Sequence, residues 1–208
     1  NIDSQSNFSD SNCNATLISK VFFQGPYDAS TGLMKDNLRN NGLIPTSSPY
    51  ADGKTTVSTV LDVTGNDAII DWVWVEIRNG TDGITVLESS SALIQSDGDI
   101  VDTDGISLLE FTMPVGSYYV MVSHRNHLGV LTNGAAALSG ITMDSDLTSD
   151  SNSVTGGINA IKDLGNGKFA LFAGDFNGDG QVQNTDKNAV EPLRGISGYN
   201  NADIDMNG

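Results

Sequence analysis

The stretch Ile70-Asp71-Trp72-Val73-Trp74-Val75-Glu76-Ile77-Arg78 decides the fold class. Its period is two. Val73, Val75 and Ile77 fall on one face, and Trp72, Trp74, Glu76 and Arg78 on the other. Alternation of this kind belongs to an extended strand, because successive side chains of a strand point to opposite faces. Both faces are partly apolar, which predicts a central strand covered on both sides or one whose second face serves a ligand. Downstream, Asn79-Gly80 and Asp82-Gly83 are turn signals. Further strands are expected at 84–95 (kinked around Ser89 to Ser91), at 107–113, and at 117–124 with Tyr118, Val120 and Val122 on one side. Others follow at 128–131, 137–143 and 168–172. Upstream, 17–23 reads as a first strand, alternation from Thr55 to Asp62 as another, and 31–41 as a short helix ended by Gly42. Seven or more short strands with frequent turns predict an immunoglobulin-like β-sandwich over 17–172. A flexible linker is expected at 1–16 and a small appended element at 173–208.

The composition agrees. Of 26 acidic residues only four are Glu (76, 88, 110 and 191), leaving 22 Asp, and there are 23 Gly. Asp and Gly favour turns and oxygen-ligand sites over helices. The formal charge of −16 excludes a nucleic-acid backbone as partner, since phosphate neutralisation needs clustered cations. It also argues against an anionic membrane surface, and no apolar run approaches the length of a membrane-spanning helix. The single cysteine, Cys13, forbids an intrachain disulfide. The chain opens at Asn1 on a polar stretch rather than a charged, apolar leader, so a processed fragment of a longer protein is expected. There is no H-E-x-x-H, no G-x-S-x-G, no phosphate loop and no Rossmann glycine set, so a non-catalytic role is expected.

The chemistry concentrates near the carboxyl end. In Asp175-Phe-Asn177-Gly-Asp179-Gly180-Gln181-Val182-Gln-Asn-Thr-Asp186, oxygen ligands stand at positions 1, 3, 5 and 12 of a twelve-residue loop. Gly180 stands at position 6, where the loop must turn, and Gln181 at position 7 offers its backbone carbonyl. A hard cation of the size of Ca²⁺ takes six to eight oxygens, and this spacing supplies most of them. Twenty-eight residues after Asp175, the run Asp203-Ile-Asp205-Met-Asn207-Gly208 matches positions 1 to 6 of a second loop, and the chain stops there. The segment between is read as a helix over 185–194 with Val190 and Leu193 as apolar contacts.

Asp186 at position 12, where an EF-hand has Glu, and the strand expected ahead of the loop both point away from the EF-hand. The pattern D-x-N-x-D-G-x-V-x-x-x-D resembles the first half of a dockerin module, which carries two such loops, each followed by a helix. The phrases Gly25-Pro-Tyr-Asp-Ala-Ser-Thr-Gly-Leu-Met34, Asp71-Trp-Val-Trp-Val-Glu-Ile-Arg78 and His124-Arg-Asn-His-Leu-Gly129, ahead of such a tail, resemble modules of large secreted Bacteroidetes proteins that carry a signal for type IX secretion. The resemblance implies a secreted or cell-surface setting, with neighbouring modules of the same polypeptide as partners. Ca²⁺ would be held by Asp175, Asn177, Asp179, Gln181 and Asp186, and by Asp203, Asp205 and Asn207. A polysaccharide ligand, or a cohesin-like protein recruited by the dockerin-like tail, are the alternatives.

Three weaker features are weighed against plainer roles. Asp97, Asp99, Asp102 and Asp104 form an acidic cluster that reads either as another cation site or as a solvated, turn-rich loop. His124 and His127 flank a tight turn, where they can meet around a transition metal or simply pack in a hairpin. Trp72 and Trp74 share a strand face, an aromatic platform for sugar if exposed and core packing if not.

Overall fold

The computed structural model describes residues 13–138 and 142–208. The chain is mainly β. Its strands are β1 Cys13–Lys20, β2 Tyr27–Asp28, β3 Leu33–Met34, β4 Ile69–Asn79, β5 Val86–Gln95, β6 Ile100–Val101, β7 Leu109–Met113, β8 Ser117–His124, β9 His127–Leu131, β10 Ala136–Ala137, β11 Thr142–Asp146, β12 Lys162–Gly165 and β13 Lys168–Ala170. The helices are α1 Asn37–Asn40 and α2 Asn184–Val190, supplemented by short 3-10 turns.

Two larger sheets face each other, an arrangement consistent with a β-sandwich. One has the order β11-β1-β7; the other runs β10-β8-β4-β5-β6, with β9 also paired to β8. The smaller sheet is mixed: β1 runs parallel to β11, with Leu17 opposite Met143, and antiparallel to β7, with Leu17 opposite Leu109. Alternation sends Ala15, Leu17, Leu109, Phe111, Met113 and Met143 inward, while Glu110, Thr112 and Asp144 point outward. From the other sheet Val73, Val75, Ile77, Val120 and Val122 meet them in one continuous buried core. Small hairpins complete the chain: β2 with β3, and β12 with β13.

Strand β4 is central, paired with β5 on one side and β8 on the other, and its second face is covered at one end. The crossing segment of 38–60 lies over it. Helix α1 packs against β4, Leu38, Ile44 and Val60 join the core, and Trp72 Nε1 donates to the Pro45 carbonyl at 2.8 Å. This explains why the strand is apolar on both faces.

The structure departs from the expected elements in identifiable ways. The expected linker 1–16 ends early: 13–16 already belong to β1, and 1–12 lie outside the described residues. The expected helix 31–41 shrinks to one turn, because Leu33 and Met34 pair with Tyr27 and Asp28. Residues 58–62 form a 3-10 turn rather than a strand: only Val60 is buried there, so the period-two pattern has no sheet to pair with. The expected strand 137–143 resolves into β10 and β11, with 139–141 outside the described residues.

Candidate metal centre

The chain enters the carboxyl-terminal segment through a stitched strip. Leu171 N donates to Phe22 O at 2.8 Å and Gln24 N to Leu171 O at 3.1 Å. On the opposite side Leu128 N donates to Phe172 O at 2.8 Å, and Gly174 N to Asn126 O at 2.9 Å. The loop that follows is therefore held at its root by the 22–24 strip and by the β8–β9 turn.

Within the loop the carboxylates wind the backbone around themselves. Asp175 accepts the amides of Asp179 and Gly180, both at 3.1 Å, through its two oxygens. Asp186 accepts Phe176 N at 3.0 Å and Asn177 N at 3.2 Å on Oδ1, and Gln183 N at 3.0 Å on Oδ2. The last contact is half of a capping box that starts α2, so one side chain both closes the loop and caps the helix. Asn177 Oδ1 accepts Asp179 N at 3.0 Å, and Asp179 Oδ1 accepts Gln181 N at 3.0 Å. Gly178 and Gly180 lie in the left-handed region, at φ of 70° and 82°, the freedom that position 6 in particular demands.

The second run, Asp203 to Gly208, repeats this geometry. Asp203 accepts Asn207 N and Gly208 N through its two oxygens, each at 3.0 Å, as Asp175 does for positions 5 and 6 of its own loop. The side-chain pair at positions 3 and 5 recurs with its partners exchanged: Asn177 Nδ2 donates to Asp179 Oδ2 at 2.9 Å, and Asn207 Nδ2 to Asp205 Oδ2 at 2.7 Å. The left-handed positions recur as well, with Met206 at φ 57° and Gly208 at 85°. A non-glycine residue in that region is uncommon, and Met206 is held there with its side chain buried in the core.

The donor set suits a hard cation in charge as well as in type. Asp175 and Asp186 are buried, and among the described residues neither has a basic side chain as ion-pair partner. Burial, reinforced by Asp186 and Asp179, pushes the Asp175 carboxyl above its ordinary value. Burial opposes the charge of Asp186 too, but the amides of Gln183, Asn177 and Phe176 outweigh it and hold that carboxyl low. Burial and the neighbouring Asp203 push Asp205 up. The side chains do not converge on one point, however. Among the described residues no three His, Cys, Asp or Glu are grouped as a ready metal cluster, since these carboxylates aim at backbone amides. Val182 is half exposed and lines a groove with Gly174, Lys187, Val190, Arg194 and Ile204.

Beneath the segment lies a polar cluster that sequence reasoning missed. Asp71 is fully buried on the Val73 face of β4. It accepts His124 Nε2 at 3.1 Å, Arg125 Nε at 3.0 Å and the Tyr199 hydroxyl at 2.6 Å. Burial opposes its charge, but the hydrogen bonds of His124 and Tyr199 and the charge of Arg125 prevail and hold Asp71 below the usual carboxylate range. Arg125 lies over the Tyr199 ring, 4.4 Å from its centroid, and its Nη1 donates to Asn200 O. Asn126 Nδ2 donates to Asp203 O at 2.8 Å. Thus the β8–β9 turn, Arg125-Asn126, grips both ends of the carboxyl-terminal segment. The signal was present in the alternation: Asp71 and His124 fall on the apolar faces of the two clearest strands, where an ionisable side chain needs a partner.

The remaining candidates resolve as follows. His124 and His127 do meet, Nδ1 to Nδ1 at 3.0 Å, and both rings pack on Phe23 at centroid distances of 4.2 and 4.7 Å. Their contacts are the hairpin packing considered from sequence. The Asp97–Asp104 cluster is divided: Lys20 pairs with Asp99 at 3.0 Å and Asp97 at 3.8 Å, Lys54 pairs with Asp102 at 2.9 Å, and Asp104 caps a turn through Ser107. Trp72 is buried. Trp74 is partly exposed, tilted against Tyr50 at 5.6 Å, with Nε1 donating to Glu76 Oε1 at 3.1 Å. No family, no curated protein and no solved structure matches the chain.

Proposed function

We propose that this chain is a non-catalytic, calcium-stabilised module of a larger secreted or cell-surface bacterial protein, with a structural or adhesive role between neighbouring modules. The finer assignments, an immunoglobulin-like sandwich and a dockerin-like tail, belong to the same proposal. What supports it most is the pairing of Asp175 and Asp186, two buried carboxylates that wrap one loop and have no basic partner among the described residues. A divalent cation offsets that charge. The repeated geometry at Asp203 and Gly208 supports the same reading for a second position. Ca²⁺ would be held by side-chain oxygens of Asp175, Asn177, Asp179 and Asp186 and by the Gln181 carbonyl, with Asp203, Asp205 and Asn207 as the second group. The ion supplies charge neutralisation and fixes the loop. Because it binds the folded loop and not the unfolded chain, it adds stability by mass action, about 2.7 kcal/mol at a hundredfold excess over Kd.

Thermal unfolding in chelator and in millimolar Ca²⁺, with calorimetric titration, tests the proposal. The expected result is a heat of binding with a Kd at or below roughly 1 mM. The melting temperature rises by several degrees, at about 2–4 °C per kcal/mol for a chain of this size. Asp179→Ala, a change at an exposed position, removes most of both. An unaltered melting temperature and a flat titration would reject it. Of the two tryptophans only Trp74 remains available for the polysaccharide alternative, and no specific observation favours that alternative over the calcium reading.

A further inference from the structure

The hydrogen bonds around His124 and His127 fix where their protons sit. His124 Nε2 lies 3.1 Å from Asp71 Oδ2, an acceptor, so that nitrogen carries a proton and Nδ1 is left as an acceptor. His127 Nδ1 lies 3.0 Å from His124 Nδ1 and 2.8 Å from Asn126 Oδ1, both acceptors, so it carries the proton. Asn126 is oriented by its other end, where Nδ2 donates to Asp203 O at 2.8 Å. His127 Nε2 is then an acceptor facing Gly25 N at 3.5 Å. Each ring holds one proton, each ring nitrogen has a role, and neither imidazole is exposed.

This arrangement has no free acceptor for another proton. On His124 Nδ1 it would face the N–H of His127 and compete with it for Asn126 Oδ1, the one group there that favours it; on His127 Nε2 it would face the N–H of Gly25. Either way two donors oppose each other in a sealed site. Relief requires His127 and Asn126 to move. Asn126 is the residue whose side chain holds Asp203 and whose carbonyl holds Gly174.

We propose that the His124–His127 pair is an acid-operated latch: uptake of a proton there loosens the Arg125-Asn126 turn and releases residues 174–208 from the sheets. The inference does not rest on the calcium reading. The charged and titratable groups around the pair are few. Asp71 from β4 favours a proton on His124, and Arg125 from the turn opposes it. Tyr199 from the carboxyl-terminal segment and Tyr50 from the crossing segment both contact this cluster as neutral phenols, their hydroxyls pushed up by burial and by Asp71. Asp203 acts on Arg125 from the same segment. Burial, opposed in part by Asp71, holds His124 below its ordinary value; burial, with the charges of His124 and Arg125, holds His127 well below it. The sign follows. A docked state whose histidines are depressed binds fewer protons than the released state. Docking is therefore intact above the ordinary histidine value of 6.5 and is lost as pH falls below it. The released-to-docked ratio rises up to about tenfold per pH unit for each proton taken up.

Hydrogen–deuterium exchange on the full chain at pH 7.5 and 5.5, corrected for intrinsic rates and run in chelator and again in Ca²⁺, reads the latch. Expected is faster exchange across 174–208 at the lower pH in both solutions, with β4, β5 and β8 still protected. Equal protection at both pH values overturns the proposal. So does loss of protection throughout the chain at once, or release confined to the calcium solution, which would belong to the loops instead. Ring-nitrogen chemical shifts of labelled histidine supply a check needing no variant. At pH 7.5 they should show His124 protonated on Nε2 and His127 on Nδ1, and the opposite tautomers refute the latch. His127→Gln, which cannot titrate, should abolish the pH dependence of exchange in 174–208. Should that variant fail to fold, exchange of the unaltered chain at the two pH values decides, with the shifts as the check on the tautomers.

Discussion

At the residue scale the dominant feature is a carboxylate where alternation calls for a valine. Asp71 survives on the inner face of β4 because His124, Arg125 and Tyr199 all donate to it. Such a site is sensitive to loss of one member, since a buried charge left without its counterion is more costly than the pair was favourable. Asp71→Asn strands the Arg125 guanidinium, and urea unfolding is expected to show a loss of about 3–5 kcal/mol. A loss under about 1 kcal/mol would mean that the cluster is solvated in solution. Two polar atoms in this region, Tyr50 Oη and Arg125 Nη2, are buried without a hydrogen-bond partner among the described residues. Buried polar groups of this kind are usually met by ordered water. A high-resolution density map should therefore show a water against each, and dry cavities there would contradict this account.

At the scale of elements, the second loop lies close against the turn after β1. Gly25 has no room for a side chain: a Cβ there would stand 2.3 Å from Ile204 O and 3.0 Å from the Asp205 Cα. Gly25→Ala should lift the 199–208 segment, which exchange measurements would register as faster deuteration there, with β4, β5 and β8 unaffected. The first loop, whose root bonds at Phe172 and Gly174 do not involve Gly25, should keep its calcium affinity within a few-fold; a loss of binding at both loops would show that the strain at Gly25 spreads through the shared Asn126. The hairpin of β12 and β13 illustrates a different limit. Lys162–Gly165 carries no strand signal of its own, because it is short, half exposed and contains Asp163 and Gly165, which signal a turn when seen without their partner.

For the whole molecule, the legible part of the sequence was the part governed by local periodicity. Strands β4 and β8 were readable almost to the residue, because Val73, Val75, Ile77, Val120 and Val122 alternate without interruption. In the run Asp175 to Asp186 the spacing marks where the backbone turns, and Gly178 and Gly180 there take positive φ. Three things were not legible. The lid of 38–60 over Trp72 depends on contacts distant in sequence. The Asp71 cluster draws on β4, the β8–β9 turn and Tyr199, three places that no local pattern connects. The separation of a sandwich at 17–172 from an appendage at 173–208 also misses their shared interior: Met206 is part of the core, and Tyr199 packs against it. Deletion of 173–208 should therefore lower the melting temperature by roughly ten degrees or more, at about 2–4 °C per kcal/mol. A truncated chain melting where the full chain does would restore the two-unit view.

The pairing of β1 with β11 carries a kinetic consequence. Ser19 meets Ser145 across 126 positions of sequence, so the middle strand of the smaller sheet has no parallel neighbour until most of the chain has left the ribosome. Closing so long a loop is entropically slow, and proteins dominated by such distant contacts fold in milliseconds to seconds rather than microseconds. During synthesis β1 must wait with its backbone amides unpaired on the β11 side, an interval in which a chaperone or another nascent copy has its best opportunity to bind.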